Sequence, residues 1–254
     1  MTRVSPRTSF HSSKLIRCLA DLAIVDAADP GNAFAEKLGQ WIHFADAIAL
    51  SAVHGDGLAL PSRKPPASQS AACAAAAAEF DRIQTFLVTS ITRSCSPKAG
   101  RSHIKLPEPR LELPMEIAAA FMPYRRFYES HQRDMESSIQ PLRVNVRDAV
   151  AKASPRLRKL AELDMTLEKV LRDRESKLLS RVPLLLKKRF EQLFKEHQRK
   201  LAECGQADNP AAWTQAGGWL ARFCNDLQTL LLAEAELRLQ PTLGLIEAFR
   251  QETQ

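Results

Sequence analysis

Three features of this 254-residue sequence predict an all-α protein. Glycine is rare, with nine residues, and only 6% of the chain is aromatic, so sheet-type composition is absent. Ala, Leu, Glu, Arg, Lys and Gln dominate, which favours long helices. Apolar side chains recur every three or four positions, and no stretch alternates polar and apolar for long enough to argue a strand. The expected architecture is an N-terminal helical module followed by long antiparallel, coiled-coil-like helices kinked at prolines.

The first helix starts from Ser12 or Ser13 as N-cap and carries the stripe Leu15, Leu19, Leu22 and Val25. Asp29-Pro30-Gly31-Asn32 then forces a turn. A second helix follows, with Phe34, Leu38, Trp41, Ala45, Ile48 and Val53 spaced as a core face. Residues 54–70 are rich in Pro, Ser and Gly and read as a linker. The alanine run Ala71–Ala78 leads into a third helix with Phe80, Ile83, Leu87 and Ile91 inward, because alanine is the best helix former. Residues 1–93 thus form the N-terminal module, with 94–114, holding Pro97, Pro107, Pro109 and Pro114, as a Pro-rich linker.

Residues 115–254 are predicted to be a long-helix bundle or coiled-coil hairpin. Pro123 is placed at a helix start and Pro141 at a kink, while Ser154-Pro155 is a cap followed by a first-turn proline. Pro183 is expected to kink the next helix, Gly205 to end it, and Asn209-Pro210 to open the last one. A continuous 155–204 helix would run roughly 75 Å at about 1.5 Å per residue, a length stable only when packed lengthwise.

The word His-Gln-Arg occurs twice, at His131 and at His197. His131 falls on the stripe Tyr124, Tyr128, His131, Met135, Ile139, Leu142, Val146 and Val150, and His197 on Leu186, Phe190, Leu193, His197 and Leu201. Both are therefore expected to be packing residues rather than metal ligands. A Glu-x-x-His pair would need an acid where Tyr128 stands, and His-Glu-x-x-His is absent. No Gly-rich phosphate loop or Gly-x-Ser-x-Gly elbow occurs, and Gly217-Gly218 reads as a bend or a close helix contact within helical sequence. Five cysteines without a Cys-x-x-Cys pair read as reduced, packed thiols. No catalytic residue, metal or cofactor is expected.

Asp21 and Asp26 interrupt any signal-like apolar run, and no segment reaches the ~18 apolar residues of a membrane span. A cytoplasmic protein is expected. The net charge of +7 concentrates in residues 140–200, with 17 basic and 8 acidic side chains, whereas residues 201–254 hold 3 and 7. Five i,i+4 pairs are expected: Asp148–Lys152, Glu168–Arg172, Asp173–Lys177, Glu191–Lys195 and Glu196–Lys200. The densest unmatched run, residues 176–190, carries Lys177, Arg181, Lys187, Lys188 and Arg189 and no acid. These five are the candidate contacts for duplex DNA or another acidic partner; the alternative is a plain solvated face. Interleaved aromatics are missing, which argues against single-strand stacking.

The segments LIRCLADLA, FAEKLGQWIHFADAIALS, YRRFYESHQRDMESSIQPLR, RESKLLSRVP, KRFEQLF and GGWLARFCNDLQTLLLAEAELRLQPTLGLIEA resemble an uncharacterised proteobacterial family of helical proteins. That family is associated with the type III Zorya anti-phage system. The resemblance implies one of two accessory cytosolic proteins beside a proton-driven, stator-like membrane motor, with the second accessory protein as partner and no catalytic motif to transfer. The residues themselves also fit a self-associating coiled-coil scaffold that binds no nucleic acid, with the basic and acidic segments pairing within one chain or in a homo-oligomer.

Overall fold

The structure is a computed structural model that describes residues 13–22, 44–55, 67–96, 103–109, 116–205 and 207–253. Seven α-helices run through these residues, with no strand among them: α1 Lys14–Asp21, α2 Phe44–Gly55, α3 Ala67–Ser94, α4 Ile117–Ala153, α5 Pro155–Leu179, α6 Val182–Cys204 and α7 Trp219–Thr253. The all-α class is as the sequence reads. The turn at 29–32 and the positions Val25, Phe34, Leu38 and Trp41 lie outside the described residues.

The two longest helices, α4 and α7, form the centre and run in the same direction. Phe121 meets Phe223, Tyr128 meets Glu234, and Ser154 meets Glu252 along their length. α3 lies antiparallel to α4, tied by Ser94 to His131 and by Gln69 to the Ala153 carbonyl. The expected α4 stripe is buried throughout, from Tyr124 to Val150, and so are Phe80, Leu87 and Ile91 of α3. All of these apolar residues join one hydrophobic cluster that also takes in Leu15 and Leu19 of α1. The 67–94 helix thus packs into the same core as the long helices, through a face of Cys73, Ala76, Ala77 and Phe80. Ile48 of α2, assigned to a core face, is 55% exposed; α2 packs mainly against α5, and Ile48 lies away from that contact.

The prolines act differently from expectation in three places. Pro123 lies inside α4, which already starts at Ile117. Pro183 divides the 155–204 rod instead of bending it: α5 stops at Leu179, and Pro183 sits in the first turn of α6. A proline there loses no helix hydrogen bond, since first-turn amides have no intrahelical acceptor. Asn209-Pro210 opens only a three-residue 3₁₀ turn, with the Asn209 side chain accepting from the Ala211 amide. Ser154 caps α5 as expected, accepting from the Leu157 amide, and Gly205 ends α6 at φ 61°. α5 and α6 together run antiparallel along the central pair, α5 on the second half of α4 and α6 against the start of α4 and α7.

Candidate functional site

The five predicted cations do not act as one array. Lys177 lies exposed near the end of α5, Arg181 in the break, and Lys187, Lys188 and Arg189 on α6. Arg189 turns inward and its Nε donates to the Asp226 carboxylate of α7 at 2.8 Å, with 12% of its side chain exposed. Lys187 stands 3.7 Å from Glu191. Among the described residues Lys177, Arg181 and Lys188 have no ion pair, and all three are exposed. Because Glu191 faces Lys187 rather than Lys195, the outward row on α6 extends through Lys195 to Arg199. Arg181, Lys188 and Lys195 recur every seven residues, a spacing of about 10.5 Å along the axis. Of the five expected i,i+4 pairs, Glu168–Arg172 closes at 2.6 Å.

The two histidines differ in setting. His131 is 1% exposed, its Nε2 2.8 Å from the Ser94 hydroxyl and its ring edge-on to Phe127. Burial drives its pKa down to about 4 against a slight opposing pull from Asp134, so it is neutral at pH 7. His197 is half-buried, and its Nε2 lies 2.8 Å from Asp208, which also accepts from the Trp213 indole at 2.8 Å. Asp208 lies beyond the Gly205 stop, so no helical spacing in the sequence could place it beside His197.

Sequence reasoning missed the interior polar seam. Glu234 of α7 is fully buried; it accepts from the Tyr128 hydroxyl at 2.8 Å, from Gln132 at 3.0 Å and from Arg238 at 2.9 Å. Burial, then the charge and hydrogen bond of Glu234, hold the Tyr128 phenol well above its usual range. The signal was available, since the apolar stripe Leu227, Leu230, Leu231 continues onto Glu234 at helical spacing. Farther along, Arg143 and Arg147 of α4 both bind Asp164 of α5, and Arg147 and Arg172 hold Glu168. Burial pushes the Glu168 carboxyl up, but the hydrogen bonds from Arg147 and Arg172 and the charges of Arg143 and Arg147 outweigh it and bring it to about 2. Between these clusters lies a cleft of about 520 Å³; of its four arginines Arg143, Arg172 and Arg238 are each matched by an acid, and Arg133 donates to the Ser130 hydroxyl.

A family model described as "Protein of unknown function (DUF3348)" matches residues 1–251. The chain belongs to this family. No curated protein and no solved structure matches it.

In this DUF3348 chain two thiols and a serine hydroxyl lie within or against the described core. Burial lifts the Cys95 thiol to about 11 and the Cys224 thiol to about 12, away from the reactive thiolate. Ser94 lies within hydrogen-bond distance of His131, is 1% exposed and also donates to the Ile91 carbonyl. No group of three or more His, Cys, Asp or Glu side chains gathers among the described residues, and none of their helices is long and apolar enough to cross a membrane. What the surface does offer is unmatched positive charge on α6 and at the α5–α6 break.

Proposed function

We propose that this chain is a non-catalytic helical subunit of a cytoplasmic anti-phage defence complex of the Zorya type, recognising duplex DNA and a protein partner through the outward face of α6 and the break before it. The observation that carries the recognition reading is the exposed row Arg181, Lys188 and Lys195, with Lys177 across the break, free of ion pairs among the described residues. Cations spaced along a rod release counterions when they meet duplex phosphates. The defence context rests on the resemblance of the segments quoted above, which implies a second accessory protein as partner and a stator-like motor as the membrane component.

Fluorescence anisotropy with a labelled duplex tests the DNA contact. Binding is expected to fall by about 10³–10⁵ between roughly 50 and 200 mM salt if six to ten phosphates are contacted, and proportionately less for fewer. No retention at about 50 mM salt overturns it. Deletion of the gene, scored by phage plating, tests the defence role.

One observation favours a second reading. Leu178 and Leu184, 52% and 48% exposed, flank Arg181 at the break. An apolar pair ringed by cations suits an acidic amphipathic protein surface, or another copy of the chain in a scaffold. Light scattering across concentration, together with co-purification of the neighbouring gene products, separates self-association from a hetero-complex.

A further inference from the structure

α3 and α4 carry a second electropositive surface, which shares no residue with the α6 row. Two hollows of about 720 and 500 Å³ meet along it, both lined by His103 and Asp134. The first lies between the outward side of α3 and residues 134–138 of α4; the second lies between residues 123–134 of α4 and the segment 103–107. Together they make one groove that follows α4 from Pro123 to Ser138, roughly 22 Å at 1.5 Å per residue.

Local sequence fixes its walls. Pro107 and Pro109 keep the segment 103–109 out of any helix. Ile104 is buried, and the Leu106 amide donates to the Ser94 carbonyl at 3.3 Å, so the segment is pinned to the end of α3. On α3 the inward stripe is Phe80, Leu87 and Ile91. The residues that line the groove form a different stripe: Arg82, Phe86, Thr89 and Arg93 recur at spacings of four, three and four.

Charge balance sets this groove apart from the cleft beside Glu234. Arg82, Arg93, Lys105 and Arg126 are exposed and have no ion pair among the described residues. Arg133, also exposed, donates to the Ser130 hydroxyl, and Asp134 is the one carboxylate in the lining. Phe86 adds chemistry that the cations lack. Its side chain is 52% exposed, with Arg82 one turn before it and Arg93 two turns after it. A ring open to water among cations is a stacking platform for a base, and the phosphates on either side of that base then meet the charges. A duplex keeps its bases paired and stacked inside and offers no free face, so the ring selects a single strand. We infer that this groove binds single-stranded nucleic acid, with phosphates on Arg82, Arg93, Lys105, Arg126 and Arg133 and an unstacked base on Phe86. The contact needs nothing from α6.

Full-length protein is titrated against a labelled oligothymidylate of about 12 nucleotides and followed by anisotropy at about 50 mM salt. Wild type is compared with K188E/K195E, which reverses two charges of the α6 row. Saturable binding is expected in both, with log affinity falling against log salt by about 0.7 for each phosphate neutralised. R82Q/R93Q, at two exposed positions without ion pairs, should keep the wild-type melting temperature and lower that slope by about 1.4. Phe86→Ala should weaken single-strand binding roughly five- to 150-fold and leave duplex binding unchanged, whereas Phe86→Trp should retain single-strand binding through its larger ring. No binding, binding abolished by K188E/K195E, or binding unchanged by R82Q/R93Q or by Phe86→Ala overturns the assignment. Equal competition by polyglutamate of matched charge overturns it too, because the groove would then be a docking face for an acidic protein.

Discussion

Charge is handled in opposite ways on the two sides of this molecule. On the inner seam the arginines and carboxylates take partners from another helix or the next turn: Glu234 with Arg238, Arg143 with Asp164, Arg147 with Glu168. On the outward side of α6 the cations face water, and Lys188 has no ion pair among the described residues while its neighbour Arg189 is held by Asp226. One position along the helix separates a structural charge from an available one. The carboxylate that decides between them arrives from α7, 37 residues later in the chain.

If the inner charges are held by matching, removing one partner should cost far more than any change outside. Glu234→Ala removes the acceptor that Tyr128 and Gln132 share inside the bundle and leaves Arg238 with Glu136 alone. Breaking a buried pair in this way costs roughly 3–5 kcal/mol. Urea unfolding monitored by circular dichroism is the measurement, and a loss under about 1 kcal/mol would mean that water replaces the carboxylate and that the seam is not sealed.

His131 sharpens the same contrast, because protonating it would put an unmatched charge inside. Its folded pKa, about 4, lies below the ordinary 6.5, so the unfolded chain binds the extra proton in that window. Stability contributed by the neutral ring is therefore complete above pH 6.5 and is lost as pH falls toward 4. The loss should reach about 3 kcal/mol at the acid end, since each pH unit between the folded and unfolded values is worth roughly 1.4 kcal/mol. His131→Leu is expected to flatten the curve between those limits. A variant that keeps the wild-type slope would show that another group carries it. Glu168, held at about 2, has the depressed-acid sign: its contribution is present above its ordinary 4.5 and fades only below that value, so the lower limb of the curve separates the two.

The helices were legible in the sequence wherever one side faces a core. The α4 stripe from Tyr124 to Val150, the Ser154 cap and the Gly205 stop depend on local spacing, and all stand where that spacing puts them. Pro183 was legible as an interruption but not as a division, because whether a proline bends a helix or starts a new one depends on what each half packs against. The charges were the least legible. Pairing at i,i+4 is a local rule, and it found Glu168–Arg172; the partners that matter most, Asp226 for Arg189 and Asp208 for His197, come from other elements. Glu234 could have been read as an acid on an apolar stripe, but its partners Tyr128 and Gln132 are separated from it by 106 and 102 residues.

Arg189 and Lys188 put the contrast to its closest test. Arg189→Glu would set two carboxylates against each other at a site where 12% of one side chain and 16% of the other are exposed. A loss of about 2 kcal/mol is expected, since a charge-assisted hydrogen bond of roughly 1.5–3 kcal/mol becomes a repulsion partly relieved by water. Asp226→Ala in the same background should restore part of it, and no restoration would mean that the pair is not the cause.

Lys188→Glu, one residue away, should change stability by less than about 0.5 kcal/mol, as an exposed substitution without partners does. Its effect belongs instead to the interface. Combined with Lys195→Glu, the next outward cation in the row, it should weaken duplex binding and lower the salt slope by about one for each phosphate no longer neutralised. Lys188 tests this cleanly because Arg189→Glu would weaken binding through the fold as well as through charge. A melting temperature that holds while the salt slope drops places the α6 row at the DNA. If neither moves, Lys188 and Lys195 are a solvated face, and the exposed pair Leu178 and Leu184 becomes the surface that defines this protein's partner.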